Sequence, residues 1–154
     1  MNFIKETPDN IKELIKMARD YRSWKTRLEA VEQMKKYDCQ QVKDVIARLA
    51  LHDKVYRVKE EAFKVGKELG IKKHGKPIFL GRKDIGYKSS DFTKVFKKIR
   101  TKCEMENFNL NIFKENMLII DPEMYDVMSY EKGPNLDMWI KEIYKSLPDD
   151  QKIE

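Results

Sequence analysis

"WKTRLEAV" runs from Trp24 to Val31, and "YRVKEEAF" runs from Tyr56 to Phe63, 32 residues further on. Each opens on an aromatic, carries a cation at its fourth position (Arg27, Lys59) and continues into Glu-Ala (Glu29-Ala30, Glu61-Ala62). That interval holds two helices and two turns, so one helix face written twice at this distance predicts a repeated helix pair.

The flanking chain supplies the other helices. Thr7-Pro8-Asp9 reads as a helix start, because Thr7 can accept from an orphan amide and proline fits the first helical position. Ile11, Leu14, Ile15 and Ala18 then fall at i, i+3, i+4 and i+7, one apolar stripe. Ser23 is expected to cap a second helix carrying Trp24, Leu28, Val31 and Met34. Asp38 is expected to cap a third, with Val42, Val45, Ile46 and Leu49. A fourth carries Val55, Val58, Ala62, Val65 and Leu69, and Gly70 stands where a left-handed C-cap is wanted. No single helix buries such a stripe alone; pairing buries part and stacking the next pair buries the rest. In this scheme Trp24 and Tyr56 open the first helix of each pair. Ala30 and Ala62 let backbones approach. Arg27 and Lys59 lay their stems on apolar surface with their heads in water.

At these residues the chain resembles HEAT-like helical repeat proteins, over about residues 8–71. "LHDKVYRVKEEAFKVGKELG" (Leu51–Gly70) looks like a family repeat: an Asp in the turn, an aromatic, a basic residue, a small Ala and a closing Gly. The resemblance implies an α-α superhelix that binds a partner on one face, usually a protein and sometimes nucleic acid, and rarely a catalyst. Two repeats are fewer than the three or more a free-standing solenoid needs. The expected fold is therefore mainly α: HEAT-like repeats over 1–71, and a small helical or α+β region over 72–154 packing on them.

The 154 residues suit one compact domain or two very small ones. Charged residues reach 38%, against a usual quarter or so, which suits a thin helical protein. Cys39 and Cys103 have no paired or metal-ligand spacing, so reduced thiols and a cytoplasmic location are expected. No apolar run reaches about 18 residues, so no membrane association is expected, and the first ten residues lack the order of a secretory signal.

Charge is unevenly written. Residues 1–71 carry a net +4, residues 72–103 carry 11 basic side chains against Asp84 and Asp91, and residues 104–154 carry a net −7. Within the basic segment, Ile78–Leu80 suggests a short strand. Ser89 or Ser90 is expected to cap a helix with Phe92, Val95, Phe96, Ile99 and Cys103 inward. Phe108, Leu110 and Ile112 alternate with Asn109 and Asn111, which reads as a hairpin through residue 120, with a helix over Ile112–Ile119 as the competing reading. Asp121-Pro122 starts a further helix with Met124, Val127 and Met128 inward. Gly133-Pro134 ends it, and a last helix spans about Asn135 to Leu147.

Two functional readings follow. A non-catalytic adaptor of the HEAT-repeat type, binding a protein partner, is the leading one. The alternative is a small winged-helix-like nucleic-acid-binding regulator using the basic 72–103 segment, with phosphates or an acidic partner met by Arg82, Lys83, Lys88, Lys94, Lys97, Lys98 and Arg100. Against the alternative, lysines outnumber arginines nine to two in that block, and no Asn, Gln or Arg pair is placed for base edges. No catalytic residue, metal or cofactor is expected. His52 and His74 have no third ligand at zinc spacing, "GRKDIG" lacks the spacing of a phosphate loop, and Asp121, Glu123 and Asp126 suit a helix N-terminus without further purpose.

Overall fold

The computed structural model describes residues 2–81, 84–105 and 107–148. Among them are eight α-helices, one 3-10 turn and one two-stranded ribbon, so the chain is mainly helical. It divides into two compact units, Met1–Ile85 and Gly86–Glu154.

The first unit begins with α1 (Ile11–Ala18), α2 (Trp24–Met34), α3 (Gln40–His52) and α4 (Tyr56–Glu68). α1 packs on α2 and α3 on α4; α1 also meets α3, and α2 meets α4. Trp24 and Tyr56 therefore open the second helix of each packed pair, not the first. Ala30 and Ala62 are fully buried, alongside Leu14, Val31, Met34, Ile46 and Leu49. With only a methyl group at 30 and 62, α2 and α4 can run close together.

The caps were legible only in part. Ser23 caps α2 as expected, its Oγ accepting the Thr26 N–H at 3.2 Å. Asp38 does not cap α3, whose N-cap is Cys39 with no side-chain hydrogen bond. The Asp38 carboxylate instead binds Lys5 at 2.7 Å and Lys43 at 3.1 Å. Its amide donates to the Ile4 carbonyl at 2.9 Å, while the Ile4 amide donates to Lys36 at 2.7 Å. The N-terminal segment thus lies along the α2–α3 turn as an isolated parallel bridge. α1 starts at Ile11 behind Asn10, after a turn closed by the Pro8 carbonyl, so Thr7-Pro8 lies ahead of the helix.

Gly70 ends α4 with φ +68°, the left-handed cap expected of it. A ribbon follows, β1 (Lys72–Lys73) paired antiparallel with β2 (Lys76–Pro77). His74 and Gly75 have φ +53° and +78°, the handedness a two-residue hairpin turn requires. The strand thus precedes Ile78–Leu80, which carries none.

The second unit holds α5 (Ser89–Cys103), α6 (Leu110–Ile120), α7 (Pro122–Lys132), a 3-10 turn at Gly133–Asn135, and α8 (Leu136–Lys145). Over 108–120 the structure has the competing helix, not the hairpin: α6 covers Leu110–Ile120. Asn109 Oδ1 accepts the Ile112 N–H at 3.0 Å and starts it, and Phe113 and Met117, one turn apart, are its fully buried residues. Asp121 caps α7 through the Met124 N–H at 3.0 Å. For α5 neither serine is the cap: Lys88 holds that place, and its amide donates to Asp91 Oδ2 at 2.8 Å.

Aromatic rings fill this second core. Phe96 lies 4.7 Å from Phe113 and 5.6 Å from Trp139, and Phe108 lies 4.6 Å from Tyr144. These separations are those of tilted and edge-on pairs, each contributing about 0.5–1.5 kcal/mol beyond area burial. Met124, Met128 and Ile140 close the remaining space.

Candidate interaction site

The first unit carries the net positive charge. Residues 1–85 hold 21 basic and 13 acidic side chains, a net of +8, and residues 86–154 hold 11 and 13, a net of −2. The basic segment read from sequence straddles the two: Lys72, Lys73 and Lys76 belong to the first unit, and Lys88 through Lys102 to the second.

Of the residues singled out from sequence, Arg82 and Lys83 lie outside the described residues. Lys88 is exposed ahead of α5. Lys94 and Lys98 are exposed and Lys97 half-buried, and at about 100° per residue the three share one solvent arc of α5. Arg100 departs from that arc: it sits at the margin of the buried face, and its Nε is inside the protein. Among the described residues no hairpin follows α5, so the wing of the alternative reading is not formed by residues 108–120.

Sequence reasoning missed Arg27. Its head is not in water; the residue is 6% exposed. Nε donates to Asp53 Oδ2 at 2.8 Å, Nη2 to Asp53 Oδ1 at 3.2 Å, and Nη1 to the Asp20 carbonyl at 2.8 Å. Asp53 Oδ1 also accepts the Val55 N–H at 2.8 Å, ordering the turn into α4. This forked pair ties the second helix of one pair to the turn inside the next. The signal was the Asp two residues before Val55, but nothing local says that Arg27 reaches it.

Around the α1–α2 corner lies a cleft of about 760 Å³ lined by Lys12, Glu13, Ile15, Lys16, Met17, Arg19, Asp20, Tyr21, Arg22 and Thr26. Four cations, two acids and an apolar floor meet there. Tyr21 is 48% exposed, and the Arg22 guanidinium stands 5.4 Å from its ring centre. Arg48 of α3 donates to the Ala18 carbonyl at 3.3 Å. Partial burial, and then the Arg19 charge nearby, pull Arg48 below the usual guanidinium value.

A second cleft, of about 540 Å³, is lined by Leu51, Lys73, His74, Lys76, Pro77, Ile78 and Phe79. No acid lines it. Elsewhere, burial and then the charge of Glu123 push the Tyr87 phenol well above its ordinary value, so the hydroxyl stays protonated and donates to Glu123 at 3.4 Å. Among the described residues, no three His, Cys, Asp or Glu side chains gather as metal ligands. No helix among them is long and apolar enough to cross a membrane. Comparison with family models, curated proteins and solved structures finds no match for this chain.

Proposed function

We propose that the protein is a non-catalytic interaction module of the HEAT-repeat type, in which two stacked helix pairs present a shallow groove to an acidic protein partner. The observation that carries this reading is the α1–α2 cleft, where Lys12, Lys16, Arg19 and Arg22 surround the exposed Tyr21 and the apolar Ile15 and Met17. An aromatic and arginines beside a recess are the residue types that dominate binding energy at protein interfaces. The +8 charge of the first unit speeds encounter with an acidic partner and helps select it. The packing of α1 on α3 and of α2 on α4 supports side-by-side helix pairs.

Photo-cross-linking from position 21 tests this. A specific protein adduct is expected, and Arg19→Glu with Arg22→Glu should abolish it while the melting temperature stays unchanged. An adduct that survives both charge reversals, or none at all, defeats the reading.

A further inference from the structure

The hairpin after α4 carries a second site of different character. Lys72, Lys73, His74 and Lys76 are all exposed on a ribbon only six residues long. No acid occurs between Glu68 and Asp84, and among the described residues no ion pair engages Lys72, Lys73 or Lys76. At the foot of the ribbon, Ile78 is fixed. It is 8% exposed and seats against Gly66 of α4, where a Cβ would come within 2.9 Å of its Cδ1. Its neighbour Phe79 faces the other way and is 78% exposed, the most exposed large apolar side chain described. Its ring stands at the cleft that Lys73 and Lys76 also line. The Lys59 ammonium approaches from α4, 3.8 Å from where a Cβ on Gly81 would stand.

We infer that this cleft binds an unpaired strand of nucleic acid, its phosphates met by Lys73 and Lys76, which face each other across the ribbon, and one base stacked on Phe79. A positive groove plus a solvent-facing aromatic is what sequence-tolerant single-strand binding requires, because every base offers a π face. The α1–α2 cleft does not qualify: Glu13 and Asp20 line it and repel a phosphate chain. The inference is independent of the adaptor reading, since the two clefts share no residue.

The test is fluorescence anisotropy of a labelled thymidine oligonucleotide, about 12 nucleotides long, against the full chain from about 50 mM salt upward. Two phosphate contacts predict a log–log salt slope of about −1.4, and Lys73→Gln alone should flatten it by about 0.7. Phe79→Ala should weaken binding by roughly fivefold or more, with circular dichroism and melting temperature unchanged because the ring is exposed. A duplex of the same sequence should bind more weakly, its bases being unavailable to the ring. Absence of binding at low salt overturns the proposal. So does indifference to Phe79→Ala, equal affinity for the duplex, or displacement by a glutamate-rich peptide at the same concentration as unlabelled oligonucleotide. Equal loss on replacing Lys94, Lys97 and Lys98 by Gln would put the contact on α5 and overturn it too.

Discussion

Arg27 shows how much one side chain decides. A buried guanidinium costs several kcal/mol in lost hydration, and the Asp53 fork offsets that only while both partners are present. Arg27→Met leaves Asp53 buried and unpaired, and should destabilise the first unit by about 3–5 kcal/mol in urea unfolding. The double variant Arg27→Met, Asp53→Asn should recover much of that loss, since no charge is then stranded and the Asn Oδ1 still accepts the Val55 N–H. Asp38 gives a pH-dependent counterpart. The Lys5 hydrogen bond, then that of Lys43, holds its carboxyl below the usual carboxylate value. Folding therefore favours the ionised form. Its contribution is complete above the unfolded value and is lost as pH falls through the lower folded one. Asp38→Asn should flatten the decline of stability below about pH 4, read from melting temperatures across that range.

At the scale of the element, α6 is the instructive helix. Phe108, Leu110 and Ile112 alternate with asparagines and invite a strand, yet Asn109 caps a helix whose buried residues are Phe113 and Met117. The pattern misleads because Ile112, Leu118 and Ile119 are 42%, 51% and 67% exposed. Apolar residues on the solvent face blur the helical period on which the reading depends. Burial separates the two groups energetically. Phe113→Ala should cost about 3–5 kcal/mol, whereas Ile119→Ser should stay within about 0.5 kcal/mol, both measured by thermal unfolding. By contrast the start and apolar face of α2 match their local pattern, Ser23 capping it and Ala30, Val31 and Met34 buried, with Arg27 the exception.

For the whole molecule, the division at Ile85–Gly86 sorts both core and charge. The first unit has an aliphatic interior of Leu14, Val31, Ile46, Leu49 and Val58, and the second an aromatic one built on Phe96 and Phe113. Each encloses its own buried set, so a fragment ending at Ile85 is expected to melt cooperatively at 222 nm; a gradual, sloping loss of signal would contradict it. The segment 72–103 looked like one basic block in sequence, with 11 cations against two acids. The structure divides that block between a ribbon of the first unit and a helix of the second.

The sequence by itself determined the helical character, the four helices of the first unit and the matched burial of Ala30 and Ala62. It also set the left-handed turn at Gly70 and the starts of α2 and α7. These are local matters, set by periodicity and by side chains that reach their own backbone within a turn. Only the tertiary structure decided that Arg27 is buried on Asp53 and that Asp38 holds Lys5 instead of capping α3. It likewise decided for helix over hairpin at residues 110–120, and placed Ile78 inside with Phe79 outside. Each of these depends on a partner distant along the chain, and a charge or a ring finds such a partner only once the backbone has brought the two together.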